Sequence, residues 1–87
     1  MAYFLETSVH VDRKFRKMAK KDQTALAAIK KKVLQILENP HHFKPLRGDM
    51  HGARRVHIEN SFVLTYDIDE GRKAVRILDF EHHDKVY

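Results

Sequence analysis

The hydrophobic residues of this chain change their spacing near its middle, and this change constrains the fold more than any other feature. Between residues 8 and 38, apolar residues recur every three or four positions, whereas between residues 54 and 81 they largely alternate with polar ones. The first spacing is typical of amphipathic helices and the second of half-buried strands. The sequence therefore predicts a helical first half and a β-sheet in the second half.

Two amphipathic helices are predicted in the first half. Ser8 can cap the first helix and Asp22 the second, while Asn39-Pro40 ends the second helix. The apolar positions of the two helices are Val11, Phe15, Met18 and Ala19, and then Leu26, Ile29, Val33, Ile36 and Leu37. Since each helix has one apolar side, both must pack against another element.

Strands are predicted at residues 2–6, 54–59, 62–69 and 73–81, with turns at residues 60–61 and 69–72. The order β-α-α-β-β-β predicts an α+β fold, a small antiparallel sheet of about four strands with a helical hairpin packed on one face. Two antiparallel helices would return the chain to the end at which it left the first strand. The strand after the helices is therefore predicted to run antiparallel to the first.

Length and composition exclude several classes of protein. A chain of 87 residues predicts a single domain, residues 1–87, whose chemistry must lie on an exposed face or groove. No apolar run is long enough to span a membrane, and the first residues do not resemble a signal peptide, so we expect a cytoplasmic protein. The absence of cysteine excludes disulfides, thiolate catalysis and cysteine zinc sites.

The charge balance favours an anionic partner. Lys and Arg total 17 and Asp and Glu total 12, which gives a net charge of +5, and seven histidines can add to it. Cationic side chains gain affinity for nucleic acids when they displace counterions from phosphates. The same balance also fits an ordinary basic domain.

Arg55 and His57 are the first candidates for chemistry, because residues two apart on a strand point the same way, roughly 6.5 to 7 Å apart. This is a suitable span for binding one phosphate and acting on the neighbouring group. The alternative is a solvated polar face. The last seven residues, 81–87, include two histidines and a tyrosine directly after a strand, and they are either a second part of a site or a frayed terminus.

Other kinds of catalytic or binding site find little support. The pairs His41-His42 and His82-His83 are adjacent, and neighbours on an extended chain point to opposite sides, so neither pair readily chelates one metal ion. The chain has no nucleophile elbow of the G-x-S-x-G type and no glycine-rich phosphate loop. We therefore expect no metal and no cofactor.

Four segments, in this order and spacing, resemble the RelE/ParE superfamily of toxin–antitoxin toxins: Pro45-Leu46-Arg47-Gly48, Gly52-Ala53-Arg54-Arg55-Val56-His57-Ile58-Glu59, Phe62-Val63-Leu64-Thr65-Tyr66 and the closing His83-x-x-x-Tyr87. The resemblance spans essentially the whole chain and includes the order of the elements. It implies a metal-independent mRNA endoribonuclease that acts mostly in the decoding site of the small ribosomal subunit. It also implies a cognate antitoxin of the RelB/DinJ type as partner, with no membrane and no DNA contact other than through the antitoxin complex.

Within this superfamily the pattern is most similar to the YafQ branch. By that resemblance His57 is a catalytic histidine, His83 the general acid and Tyr87 the closing aromatic residue. Phe62 matches an aromatic position, and Lys44 matches a position that holds histidine in YafQ and glutamate in YoeB.

Two positions depart from the superfamily pattern. The strand arginine with which RelE and YoeB hold the phosphate is Val63 here, and the aspartate that precedes the aromatic residue in YafQ is Ser61. The positive charge on the phosphate must then come from one of three other arginines, Arg55, Arg54 or Arg47.

The resemblance implies a mechanism in which the 2′-hydroxyl attacks the adjacent phosphate. His57 is expected to act as base, with help from Lys44, because the neighbouring Arg55 favours its neutral form. His83 is expected to act as acid, because Glu81 and Asp84 favour its protonated form. Tyr87 and Phe62 would then stack on or orient the RNA bases.

Three other functions remain compatible with the sequence. A ParE-like toxin would share the fold and act on DNA gyrase without cutting RNA. A non-catalytic RNA-binding domain would keep the scaffold and lack the phosphate-binding arginine at Val63. An orphan toxin would have no antitoxin at all.

Overall fold

The elements of the chain follow the predicted order. The computed structural model describes residues 3–43, 52–59 and 61–82. Within them lie β1 (Phe4–Glu6), α1 (Val9–Lys21), α2 (Gln23–Glu38), a short 3-10 helix (Pro40–His42), β2 (Ala53–Ile58), β3 (Phe62–Asp69) and β4 (Ala74–His82). The predicted α+β class and the β-α-α-β-β-β order are confirmed.

The helix boundaries are set by the predicted capping residues. The Ser8 hydroxyl accepts a hydrogen bond from the Val11 amide at 3.1 Å, which satisfies one of the open amides at the start of α1. Asp22 serves both helices, since its amide donates to the Met18 carbonyl while its carboxylate accepts from the Ala25 amide at 3.0 Å. One residue therefore ends α1 and begins α2, and the two helices form a tight hairpin.

The sheet is mixed rather than purely antiparallel. Its strand order is β1-β4-β3-β2, with β3 antiparallel to both neighbours and β1 parallel to β4. It follows that β1 and β2 run in the same direction, so the prediction that they run antiparallel is wrong.

The reason for this difference is the path of α1. Strand β1 has only three residues, and α1 then continues in the direction of β4, so that Lys14 reaches Phe80 near the end of β4. Helix α2 reverses this path and returns the chain to the start of β1, where the Tyr3 amide donates to the Leu37 carbonyl at 3.0 Å. The chain therefore enters β2 from the end at which β1 began.

The core lies between the helices and one face of the sheet. Its buried members are Val11, Ile29, Val33, Ile36, Val56, Ile58, Leu64, Tyr66, Val75, Ile77 and Phe80. Tyr66 is fully buried, and its hydroxyl donates to the Pro40 carbonyl at 2.6 Å. Burial raises the pKa of Tyr66 to about 12. This bond fixes the 3-10 helix against the centre of the sheet.

Candidate active site

The site predicted on β2 lies on the face of the sheet opposite the helices, which we call the open face. Arg55 and His57 both point to this face, and in the strand register they lie opposite Thr65 and Val63 of β3. Arg55 is half-buried and His57 is exposed. The prediction that the two side chains point the same way is confirmed, and they point away from the helices.

The guanidinium of Arg55 carries an unsatisfied donor. Its Nε atom is buried and has no hydrogen-bond partner, and no ion pair among the described residues includes Arg55. A buried donor without an acceptor costs roughly 1–3 kcal/mol. The Nε atom of Arg54, on the helix-facing side, is buried and unsatisfied in the same way, so the Arg55 Nε does not by itself mark a ligand site.

The centre of the open face contains a buried apolar residue. Val63, which stands where RelE-like toxins carry an arginine, retains 2% exposure. It lies between His57 of β2 and Glu81 of β4 in the register. Strand β3 therefore places a buried apolar side chain at this point, and the cation on the same strand face as His57 is Arg55.

A lysine from α1 binds two carboxylates at the β4 edge. The Lys14 ammonium donates to the Asp79 carboxylate and the Phe80 carbonyl, each at 2.7 Å, and to the Glu81 carboxylate. Burial lowers the pKa of Lys14, but the hydrogen bonds to Asp79 and Glu81 outweigh it, so the pKa lies above its ordinary value. Lys14 was not among the predicted site residues, because the helical pattern places it on a solvated side.

Arg54 and Phe62 point to the helix-facing side of the sheet and do not join Arg55 and His57. The Arg54 guanidinium donates from Nη1 to the Phe43 carbonyl, and its Nη2 lies 3.4 Å from Nδ1 of His41. Phe62 packs edge-to-face against His82, with ring centroids 5.4 Å apart. Arg54 thus has a structural contact, and its predicted binding of phosphate stays a prediction.

Four predicted site residues lie outside the described residues: Lys44, Arg47, His83 and Tyr87. Their roles stay predictions. The described strand β4 ends at His82, directly before His83. Glu81, one of the two carboxylates expected to favour protonated His83, forms an ion pair with Lys14.

A second polar cluster, which the sequence analysis missed, joins three distant segments. Glu70 accepts hydrogen bonds from the Tyr3 hydroxyl at 2.8 Å and from Lys73 at 3.1 Å, and it lies 2.6 Å from Nε2 of His41. We call these four residues the Glu70 cluster. Hydrogen bonds from Tyr3, His41 and Lys73 lower the pKa of Glu70 to about 2. The cluster ties the start of β1 and the 3-10 helix to the β3–β4 turn.

The part of the chain that the structure describes contains neither a metal-binding cluster nor a membrane-spanning helix. No group of three histidine or carboxylate side chains is placed to hold a metal ion there. No helix in those ranges is long and apolar enough to cross a membrane.

The sequence of this chain matches a known protein family. Residues 5–87 match the family model described as ParE toxin of type II toxin–antitoxin system, parDE. A relative from Methanocaldococcus jannaschii with the provisional name toxin RelE4 is 44% identical over 85 residues, which cover 98% of this chain and 90% of the relative.

Solved toxin structures share the fold. The isolated Escherichia coli RelE toxin superposes with a TM-score of 0.77 at 26% identity, covering 93% of this chain and 84% of that one. The toxin–antitoxin complex RelBE2 from Mycobacterium tuberculosis contains a chain that matches with a TM-score of 0.78 at 24% identity, covering 95% and 93%. The similarity therefore extends over nearly the whole of each chain.

Proposed function

We propose that this chain, which belongs to the ParE toxin family of type II toxin–antitoxin systems, is a metal-independent endoribonuclease that cleaves mRNA. The resemblance to the RelE/ParE superfamily is confirmed at the level of family and fold. The observation that carries the proposal is the pairing of exposed His57 with half-buried Arg55 on the open face. An imidazole and a guanidinium on one strand face supply two of the groups that phosphodiester cleavage needs, a proton acceptor and a positive charge.

In the proposed reaction, His57 takes the proton from the 2′-hydroxyl as the 2′-oxygen attacks the neighbouring phosphorus. Arg55 neutralises the charge that develops on the phosphate oxygens, which requires a cation at that position. The bond from phosphorus to the 5′-oxygen then breaks, and His83 gives that oxygen its proton. The products are a 2′,3′-cyclic phosphate and a 5′-hydroxyl.

The remaining predicted residues have supporting roles in this proposal. Lys44 assists His57, Arg47 adds positive charge near the phosphate, and Tyr87 stacks on a base. Stacking of a base on an aromatic ring contributes roughly 1–3 kcal/mol, so a single aromatic contact can orient the substrate.

The proposed partners are an antitoxin of the RelB/DinJ type, the message and the ribosome in the cytoplasm. The description of the matched family as a toxin–antitoxin toxin supports the antitoxin. The net charge of +5 supports an RNA partner, because a cationic surface attracts a polyanion. The proposed place of cleavage is the decoding site of the small subunit.

Primer extension on a translated message tests the nuclease. Wild-type protein is expected to produce new 5′ ends, whose matching upstream fragments end in a cyclic phosphate, and His57→Ala is expected to reduce the cleavage rate about 10²- to 10⁴-fold. His10→Ala is the matched control, because His10 is also exposed but lies on α1 beside Asp79. Equal cleavage by His57→Ala and wild type, or products with a 3′-hydroxyl, would contradict the proposal.

A gyrase inhibitor is the second candidate, and two observations favour it. The matched family model carries the ParE description, and Val63 replaces the arginine of the RelE-like pattern. Inhibition of a protein does not need an exposed histidine beside an arginine, so the open face favours the nuclease. A supercoiling assay with purified gyrase, run beside the cleavage assay, separates the two candidates.

A further inference from the structure

A cleft opens between α1 and the end of the β3–β4 hairpin, on the helix-facing side of the sheet. We call it the α1–β4 cleft, and its volume is about 210 Å³. Lys17, Met18 and Lys21 of α1 face Phe62, Phe80 and His82 across it. None of these residues belongs to the open face.

Two lysines of the cleft have no countercharge. Lys17 and Lys21 are exposed and form no ion pair among the described residues, whereas the neighbouring Lys14 is bound to Asp79 and Glu81. Like charges one helical turn apart destabilise a helix slightly. Lys14 and Glu81 also line the cleft, and Lys14 is shared between the Glu81 and Asp79 carboxylates. These three groups carry one net negative charge, which the two positive charges of Lys17 and Lys21 exceed. The surplus charge of the cleft is therefore positive.

The opposite wall of the cleft is aromatic. Phe62 is half-buried and lies edge-to-face against His82 at 5.4 Å between centroids. Met18 and the buried Phe80 complete an apolar floor. Lysines beside an aromatic ring match the two parts of a nucleotide, because the cations take the phosphate and the ring stacks on the base.

The cleft begins where the open face ends. Phe62 and His82 belong to one row of paired residues across the sheet, and His57 and Val63 belong to the next row. The side chains of the two rows point to opposite faces. Adjacent rows are about 3.4 Å apart along the strands. Strand β1 pairs only with residues 74–76 of β4, so it does not extend beside this end of the sheet. A single strand bound at His57 could pass around it.

We propose that the α1–β4 cleft is an RNA-binding site for one nucleotide of the single strand that flanks the cleaved linkage. Lys17 and Lys21 hold its phosphate, and Phe62 contacts its base. This inference rests on the proposed RNA substrate and adds to it a second point of contact, which selects single-stranded over double-stranded RNA because only an unpaired base can enter the cleft.

Binding of a labelled RNA of about twelve nucleotides, long enough to fill more than one subsite, tests the proposal. The RNA carries 2′-O-methyl groups throughout, which remove the nucleophile, so binding is measured apart from cleavage. Fluorescence anisotropy is recorded over a range of salt concentrations for three proteins: wild type, Lys17→Gln/Lys21→Gln and Arg16→Gln/Lys20→Gln. The last is the matched control, because Arg16 and Lys20 are also exposed cations of α1 and do not line the cleft.

Loss of the two cleft lysines is expected to weaken binding about tenfold and to reduce the slope of log affinity against log salt by about 0.7, the contribution of one phosphate. The control pair should weaken binding less, because Arg16 and Lys20 do not line the cleft and salt partly screens their charges. Equal weakening by both pairs, or no measurable binding by wild type, would overturn the proposal.

Phe62→Leu keeps an apolar side chain in the cleft and removes the ring. It is expected to weaken binding about fivefold or more, the effect of one lost stacking contact, without changing the salt slope. A hairpin RNA of the same composition should bind equally well to wild type and to Lys17→Gln/Lys21→Gln. If Lys17→Gln/Lys21→Gln instead weakens the binding of an acidic protein and leaves RNA binding unchanged, the cleft is a protein-binding site and the RNA proposal fails.

The proposed nuclease activity and the proposed RNA-binding site in the cleft can be disproved independently of each other. Cleavage of messages without any dependence of RNA affinity on Lys17 and Lys21 overturns the cleft and leaves the nuclease. Dependence of RNA affinity on these lysines without cleavage of any message overturns the nuclease and leaves RNA binding in the cleft.

Discussion

Arg55 and His57 lie on the same face of β2, and the single residue between them, Val56, points into the core. Because Val56 is buried beneath the helices, the strand cannot rotate without exposing it, and the spacing of the two polar side chains is fixed by the packing of the opposite face. The packing of the core thus positions the Arg55 cation beside the His57 imidazole, and this arrangement requires no contact between the two side chains.

Substitution of Arg55 tests whether this cation acts on the reacting phosphate. Arg55→Gln is expected to lower the cleavage rate about 10²-fold or more, the usual effect of removing one group that stabilises transition-state charge. Arg55→Lys should recover part of the loss, because it restores the charge but not the planar fork of donors. Single-turnover rates with saturating toxin measure the effect. Equal activity of all three proteins would contradict a role at the phosphate.

Loss of Lys14 is expected to destabilise the fold rather than the reaction. Lys14→Met removes three hydrogen bonds that hold α1 against β4, and the Lys14 side chain is 23% exposed. Hydrogen bonds to charged groups contribute roughly 1.5–3 kcal/mol, so the free energy of unfolding should fall by about 2 kcal/mol. Urea unfolding measures it, and Lys17→Met, an exposed neighbour on the same helix, is the control.

The stabilisation by Lys14 should also depend on pH in a defined direction. Since the pKa of Lys14 is raised in the folded protein, the charged form is favoured by folding, and its contribution is fully present below the ordinary lysine pKa. The difference in stability between wild type and Lys14→Met should therefore shrink as the pH rises above about 10.4. A difference that grows with alkaline pH would contradict this assignment.

Local parts of this fold could be predicted from the sequence because their signals lie within a few residues. Ser8 and Asp22 each cap the helix that follows them, and each binds the backbone amide three residues further along the chain. The alternation from residue 62 to residue 69 gives the bounds of β3 as observed. The same alternation placed Arg55 and His57 on one face, which is why this half of the site could be predicted.

The direction of β1 and the contacts of Lys14 could not be predicted in this way. Both depend on the path of α1 along β4, which joins residues about 65 positions apart and leaves no local pattern.

Phe62 illustrates a different difficulty. Alternation places it on the helix-facing side, whereas the resemblance gives it a site role with His57, and the register supports the alternation. Its place in the α1–β4 cleft reconciles an aromatic binding role with that side.

Removal of the buried Tyr66 hydroxyl should loosen the chain after α2. Tyr66→Phe leaves the Pro40 carbonyl without its donor at 2.6 Å, and an unsatisfied buried acceptor costs roughly 1–3 kcal/mol. We expect a lower midpoint in urea and faster amide exchange within residues 40–43. Tyr3→Phe is a suitable comparison, because the Tyr3 hydroxyl bond to Glu70 is exposed. Equal midpoints for Tyr66→Phe and wild type would show that the carbonyl finds another donor.

Acid should weaken the Glu70 cluster through one carboxyl group. Hydrogen bonds from Tyr3, His41 and Lys73 lower the pKa of Glu70 from 4.5 to about 2. A depressed carboxyl pKa contributes stability that is present above the unfolded value and is lost as the pH falls through the folded value. Wild type should therefore be more stable than Glu70→Gln above about pH 4.5, and the two melting temperatures should converge as the pH approaches 2.

The amide of Glu70→Gln keeps the size of the side chain and can still form hydrogen bonds, so the comparison isolates the charge. Glu38→Gln is the control, because Glu38 is exposed at the end of α2 and belongs to no ion pair among the described residues. Melting temperatures of the three proteins between pH 2 and pH 7 measure the effect. Parallel curves for wild type and Glu70→Gln over this range would show that the charge of Glu70 does not hold the cluster together.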